Sequence, residues 1–481
     1  MRRNGGKIMS YDLVVGLETH VELLTKTKIF CGCKNAFGSE PNTNCCPVCI
    51  GLPGTLPKLN REVVNFAIKA GLALNCEINL DSKMDRKNYV YPDLSKAYQI
   101  SQFYSPICRN GYVELASGKK IRIHQIHMEE DAGKLVHKGG DVYVDYNRGG
   151  VPLLEIVSEP DISSSEEARE YVEKLQMIMR YIGVSDCKMQ EGSMRCDVNV
   201  SVKPTGSQKF GTRTEIKNMN SITFMTKAIE YERSRHIDLI ESGKKVIQQT
   251  LRYVEETNST ESMRSKEDAQ DYRYFRDPDL LDICLDSEYI ENIKKSLPEL
   301  PTQRLKRYIS SLGMSEKDAA LIVKYKNVSD FFEKASEGLS NPKTISNFII
   351  GQIFRNIETE SEREKFEILT TPAQLNELAK LIESGKLNMN LAKKALSKML
   401  ETGKDVKEFV SESDMKGLTE QEITNLCEQS IEANEGAVKD YIAGKEKALK
   451  ALLGYVMKQT RGKGNAQDIE KKLIEIINSK K

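Results

Sequence analysis

His124-Gln-Ile-His-Met-Glu-Glu-Asp-Ala-Gly-Lys134 places two histidines and three consecutive carboxylates within eight residues. Ile121, Ile123 and Ile126 lead into it, so the spacing predicts a β-strand that runs into an acidic cluster. Like charges at this density repel unless a cation sits among them, and carboxylate oxygens are the ligands that a hard divalent cation chooses. A solvated acidic loop is the alternative, and the rest of the chain decides between them.

Tyr11 to Leu23 reads as a second strand. Alternation puts Glu18, His20 and Glu22 on one face and Leu17, Val21 and Leu23 on the other. Met194 to Val202 is a third, with Arg195, Asp197, Asn199 and Ser201 opposite Met194, Cys196, Val198, Val200 and Val202. Arg213, Glu215 and Lys217 share a face in a fourth. A sheet with one wet side gives such alternation for free. These faces hold potential metal ligands and phosphate donors, however, and they read as one concave catalytic sheet. Tyr143 to Ser158 is expected to be a hairpin turning at Asn147-Arg148-Gly-Gly150. Glu155 stands inside its apolar run Val-Pro-Leu-Leu-Glu-Ile-Val, where a charge must be paired or functional. Ser163–Ser165 followed by Glu166 and Glu167 is a capping signal for a helix through Ile182.

Cys31-Gly-Cys33 and Cys45-Cys46-Pro-Val-Cys49 form two knuckles with 12 residues between Cys33 and Cys46. Cys31, Cys33, Cys46 and Cys49 fit a structural zinc site, leaving Cys45 as the spare thiol. A redox pair or chance clustering is the alternative. Five of the 11 cysteines lie between 31 and 49, a distribution that suits a reduced cytoplasmic protein better than a disulfide framework.

The 481 residues suggest about two to four domains. The net charge of +1 does not announce a nucleic-acid partner, so any basic surface must be local. No apolar run approaches membrane-span length, and the basic start lacks a secretory signal's apolar core. Glu62 to Asn75 and Thr223 to Glu241 have helical spacing. Met84 to Gln102 reads as a loop of basic, aromatic and amide residues suited to phosphate or sugar contact, and Glu255 to Gln270 as a mobile loop. Beyond about Lys294 the texture is helical, broken near Gly313, Gly338, Gly385 and Gly403. From Lys445 to Lys481 ten Lys and Arg face four Asp and Glu, a surplus that can hold a polyphosphate backbone or simply be solvated lysine. The fold class is therefore α+β, with an antiparallel catalytic sheet ahead of all-α regions.

There is no G-x-x-x-x-G-K-[ST] loop, so a P-loop is excluded, and no G-x-S-x-G elbow, so a nucleophile-based hydrolase lacks its parts. Carboxylates and imidazoles beside Arg and Lys suit metal-assisted phosphoryl transfer. Gly16-Leu-Glu-Thr-His20, Asp85-Arg-Lys-Asn-Tyr89, Tyr98-Gln-Ile-Ser-Gln102, His127 to Lys134 and Arg195-Cys-Asp-Val-Asn199 together resemble the B subunit of the aspartyl/glutamyl-tRNA amidotransferases, over nearly the whole chain. The resemblance implies ATP-dependent phosphorylation of the side-chain carboxylate of Glu on tRNA(Gln) or Asp on tRNA(Asn). Ammonia made by a glutaminase partner then displaces phosphate, and a small third protein bridges the heterotrimer. It implies a Mg²⁺ site at Glu18, His20, Glu129 and Glu130, with Asp197 nearby, and places Lys87 and Tyr89 near an ammonia exit. Arg148, Glu155, Arg195, Asp197, Asn199, Glu215 and Lys217 are the candidate ATP and substrate contacts. The implied domains are a cradle at 1–292, a helical domain at 293–405 and a tail at 406–481. The last two would bind the tRNA body, with Lys445, Lys447, Lys458, Arg461 and Lys463 as candidate contacts. Arg276 departs from the family's usual Pro, and some members lack the cysteine knuckles. The competing reading is a non-catalytic, zinc-containing tRNA-binding scaffold.

Overall fold

The computed structural model describes residues 10–265, 271–411, 420–442, 445–460 and 466–479. They fall into two compact units, 1–300 and 301–481. Among the described residues the first holds all the strands. In chain order these are β1 (Tyr11–Glu22), β2 (Glu77–Ile78), β3 (Asp81–Ser82), β4 (Asp85–Asn88), β5 (Tyr98–Ser101), β6 (Cys108–Glu114), β7 (Lys120–Glu130) and β8 (Lys134–Lys138). Then come β9 (Asp141–Asp145), β10 (Pro152–Ser158), β11 (Met194–Pro204), β12 (Thr214–Met219), β13 (Gln249–Val254), β14 (Ser259–Ser265), β15 (Phe275–Arg276) and β16 (Ile283–Cys284). Helices α1 (Arg61–Ala73), α2 (Ser165–Tyr181), α3 (Ile222–Glu241) and α4 (Ser287–Lys295) complete the unit.

The main sheet has nine strands in the order β14-β13-β12-β11-β1-β10-β7-β6-β2. Its pairings are antiparallel except β12 with β13, so the sheet is mixed and not wholly antiparallel as the sequence suggested. Alternation fixes which face is dry. Leu17, Val21, Ile126, Leu154, Ile156, Val198 and Val200 join Val172, Leu175, Ala228 and Ile229 of α2 and α3 in one core. Burying each such side chain contributes about 1.5–3 kcal/mol. Ser164 caps α2 by accepting from Glu167 N, as the Ser-rich signal predicts.

Three expectations are corrected. The run from Tyr143 to Ser158 is not a hairpin: β9 pairs with β8, while β10 inserts between β1 and β7. The Asn147–Gly150 turn is real, with Val151 N donating to Arg148 O, but it links two different sheets. Residues 259–265 are not loop but strand β14, paired along β13 and fastened by Arg252–Glu261. The polar stretch after Met84 contains β4 and β5. Ion pairs hold it in place of apolar alternation: Arg86 binds Asp277 at 2.8 Å and Asp279 at 2.7 Å, while buried Asp85 accepts from Phe103 N and Tyr104 N. Arg276 lies in β15 and pairs with Asp282.

The second unit is helical throughout its described residues. Gly313, Gly338, Gly385 and Gly403 all take positive φ, which explains why helices stop there. Cys427, Leu452, Val456, Ile469 and Leu473 form a separate apolar core toward the C-terminus.

Candidate active site

The wet face of the main sheet carries the site. Register puts His20 between Glu155 on β10 and Arg195 on β11, with His127 on β7 opposite Glu155. One residue pair along, Glu18 stands opposite Asp197. Beyond that, Asn199 stands opposite Glu215. Five strands thus contribute to one polar band.

Within it two groups of ligand atoms converge. In the first, His20 Nε2 lies 3.6 Å from Glu129 Oε1 and 3.5 Å from Glu155 Oε2, and His127 Nε2 lies 3.1 Å from Glu155 Oε2. Burial alone would lower the pKa of both imidazoles, but Glu155 and Glu129 raise it. Burial would likewise raise Glu155, yet the two imidazoles hold it well below the usual carboxylate range. Glu129 is pushed up by burial and by Glu155.

The second group is Glu18, Asp197 and Glu215. Here an ammonium already stands among the acids, Lys217 Nζ being 2.8 Å from both Asp197 and Glu215. Asn199 donates to Glu18 at 2.9 Å, Asn218 N to Asp197 at 2.8 Å and Thr250 to Glu215 at 3.1 Å. Burial, then Glu155, raises the Glu18 pKa.

Glu130 is not part of either group. Strand neighbours point to opposite faces, so Glu130 follows Met128 to the covered side while Glu129 follows His127 to the site. There Glu130 accepts from Lys96 Nζ at 2.5 Å and from Ile100 N at 2.8 Å. The expected ligand set of Glu18, His20, Glu129 and Glu130 is therefore split, with Glu155 beside His20 and Glu129 where Glu130 was expected. The expected convergence of Glu18, His20 and Glu130 on one ion does not occur.

At one flank Asp131, buried, binds Arg148 at 2.5 Å and Arg195 at 3.3 Å. Burial opposes ionisation of Asp131, but Arg195 and Arg148 win and lower its pKa. Glu22, beside this group, is pushed up to about 7 by burial and by Asp131. At another flank Lys87 Nζ lies 4.8 Å from the Tyr272 ring centre and 5.7 Å from that of Tyr89, and its charge reaches Glu129. A cavity of 240 Å³ opens beside Glu18 and Asn199, walled by Phe210, Gly211 and Arg213. A larger one of 590 Å³ lies between Pro57–Val64 and Asp279–Tyr289 and includes none of these residues.

The residues fit a divalent cation. The donors are carboxylate oxygens and one imidazole nitrogen within 4.8 Å of one another, and buried His20 Nδ1 has no hydrogen-bond partner among the described residues. The thiols of Cys31, Cys33, Cys46 and Cys49 also lie within 4.8 Å of one another, against about 3.8 Å between sulfurs in a zinc tetrathiolate. Cys45 stays outside and meets Asn147 Oδ1 at 3.7 Å. Of the candidate tRNA contacts, Lys445 pairs with Asp440 at 3.0 Å, and Lys447 and Lys458 are exposed. Arg461 and Lys463 lie outside the described residues.

His127 and Asp131 belong to the stretch singled out in the sequence but were given no individual role there. His127 was within reach, because it lies two residues from Glu129 on one strand. Asp131 follows the strand's end, where alternation gives no direction.

The GatB/GatE catalytic domain model matches residues 13–291, and the GatB domain model matches residues 330–477. The B subunit of the aspartyl/glutamyl-tRNA(Asn/Gln) amidotransferase of Thermoanaerobacter sp. (strain X514) is 52% identical over 464 residues, covering 95% of this chain and 98% of the relative. This chain belongs to the amidotransferase GatB family. The corresponding protein of Persephonella marina is 48% identical over 477 residues, covering 98% of this chain and 100% of the relative. That of Clostridium tetani is 48% identical over 478 residues, covering 98% of this chain and 99% of the relative. In this GatB-family chain no helix among the described residues is long and apolar enough to cross a membrane.

Proposed function

We propose that the chain performs the ATP-dependent step of tRNA-dependent amidation, phosphorylating the side-chain carboxylate of Glu on tRNA(Gln) or Asp on tRNA(Asn) so that ammonia can replace phosphate. The observation that carries this is the band of clustered carboxylates, with imidazoles among them, on one sheet face, in a chain about half identical to its GatB-family relatives along its length. A pure tRNA scaffold has no use for such a band.

The chemistry explains the equipment. A carboxylate resists a nucleophile because of its charge, and phosphorylation converts its oxygen into a leaving group. Mg²⁺ held by His20, Glu129 and Glu155 would neutralise phosphate oxygens of ATP. Glu18, Asp197 and Lys217 orient the neighbouring phosphate, and Arg195 and Arg148, positioned by Asp131, bind the substrate carboxylate or phosphate. Tyr89, Tyr272 and Lys87 wall the opposite flank, where ammonia from the glutaminase partner, docked with the help of the small bridging protein, would enter shielded from water. The four thiolates hold structural zinc. The tail at 406–481, set apart from a helical domain at 293–405, binds the tRNA body.

The test is amidation by the complex with ATP, Mg²⁺ and ammonium, supplied in turn with Glu-tRNA(Gln) and Asp-tRNA(Asn). Amide product from at least one is expected; no product and no tRNA-dependent ATP hydrolysis overturns the reading. Deleting 406–481 should weaken tRNA binding at least tenfold, with salt dependence reduced, while ATP turnover changes far less. An unaltered tRNA affinity contradicts the tail assignment.

A further inference from the structure

Lys28 is fully buried, yet among the described residues no carboxylate pairs with it. Its Nζ donates to Tyr146 O at 3.1 Å. A buried ammonium needs an opposite charge nearby, because desolvation otherwise penalises it heavily. The thiolate loop supplies the neighbour. Gly150, at φ +82, leaves a gap in which a Cβ would stand 3.6 Å from Lys28 Cδ and 3.8 Å from Cys49 Cβ. Four cysteines on zinc are thiolates, so the unit carries a net charge of about −2.

We propose that Lys28 is the counter-cation of the zinc tetrathiolate, and that the zinc-loaded loop clamps the turn that presents Arg148 to the active site. This rests on the zinc reading above and extends it.

The clamp is visible bond by bond. Asn42 N donates to Asp145 Oδ1 at 3.0 Å, and Asn42 Oδ1 accepts from Tyr146 N at 2.7 Å. Asn44 N donates to Asn147 Oδ1 at 2.7 Å, and Asn147 Nδ2 donates to Glu40 O at 2.6 Å. Ile29 N donates to Gly150 O at 3.0 Å, and Gly150 N donates to Asp131 O at 2.9 Å. Asp131 then binds Arg148 and Arg195, and Arg195 stands opposite His20 in the register. On the loop's side, residues 34–45 include no buried side chain. Apolar packing therefore cannot fix this span, and closure between Cys33 and Cys46 through a metal can. Zinc thus acts on amidation through the position of Arg148, without touching substrate.

The experiment uses the full chain in complex with its partner proteins. Amide hydrogen exchange is compared between zinc-loaded and chelator-stripped protein. Exchange at Tyr146, Asn147 and Gly149 to Val151 should rise about tenfold or more on stripping, with the amides of β1 and β11 unmoved. Competition with a chromophoric chelator reads the second half: Lys28→Met should weaken zinc binding about tenfold while still saturating at one zinc per chain, and Lys28→Arg should stay within about threefold of wild type. Exchange that rises only within residues 31–55 overturns the clamp. Equal zinc affinity in wild type and Lys28→Met overturns the counter-cation role. Either result with one zinc bound leaves the zinc reading standing, whereas a wild-type chain that binds no zinc overturns that reading and the clamp together. Should Lys28→Met fail to fold, the exchange comparison on the unsubstituted chain decides the clamp, and the zinc affinity of Lys28→Gln, neutral but polar, decides the counter-cation role by the same tenfold criterion.

Discussion

The two acidic groups on the sheet face are neighbours with different ways of tolerating their own charge. Around His20, Glu129 and Glu155 the compensation is imidazole, which can exchange its proton for a metal ion. Around Glu18, Asp197 and Glu215 it is the ammonium of Lys217, fixed at 2.8 Å from two of the acids. An ammonium occupies the position a cation would take and does not leave at neutral pH, since the surrounding acids raise its pKa despite burial. On the proposed reading the imidazole group is the one that takes the divalent ion, and the ammonium group orients the phosphate beside it.

The largest effect should come from the imidazole group. Glu155→Gln removes the carboxylate that both histidines share, and amidation should fall about 10³-fold with tRNA affinity within a factor of three. Steady-state amidation and filter binding read the two quantities; weakened tRNA binding with unchanged turnover per bound tRNA would erase the distinction between the groups. Lys217→Met sharpens it from the other side. Activity should drop about 10²-fold, and Mn²⁺ titration followed by electron paramagnetic resonance should show one cation site more than in wild type. An unchanged stoichiometry would mean that Lys217 was not holding a cation's place.

A smaller effect, on stability alone, is expected beneath β12. Glu232 is fully buried and accepts from Arg235, Thr214 and Thr260, with His236 Nε2 at 3.2 Å. Burial opposes its charge, but Arg235, His236 and Thr260 prevail and hold its pKa well below the ordinary 4.5. A depressed carboxylate stabilises the fold above its unfolded pKa, and the contribution disappears as pH falls through the folded value. Glu232→Gln should cost on the order of 3 kcal/mol at neutral pH, and the gap from wild type should narrow in acid. Urea titrations at pH 7 and pH 4 measure it; a gap that widens in acid contradicts the network.

Much of the site was legible in the sequence, for definite reasons. β1, β11 and β12 alternate cleanly, so Glu18, His20, Arg195, Asp197, Asn199, Glu215 and Lys217 could be placed on one face before any fold was known. The same rule separates Glu129 from Glu130, because adjacent strand residues cannot both face one ion, and the expected ligand set broke it. The Asn147–Gly150 turn was readable from its residues, but its partners were not. The run through β10 is apolar enough to pair on both edges, and only the three-dimensional fold shows that it lies between β1 and β7. β14 was hidden because Met263 is the one apolar residue in its sequence, Ser-Thr-Glu-Ser-Met-Arg-Ser. The Arg148–Asp131–Arg195 link joins three distant segments, and no spacing rule reaches it.

The most direct test is a rapid-quench reaction of the complex with γ-³²P-labelled ATP and misacylated tRNA in the absence of any ammonia source. At saturating tRNA, label is expected on the tRNA-bound amino acid in wild type, at least about a hundredfold less in Glu155→Gln, and in undiminished yield in a variant of the tail. Label that fails to reach the amino acid in wild type, while amidation proceeds once ammonia is added, would contradict carboxylate phosphorylation on this sheet face.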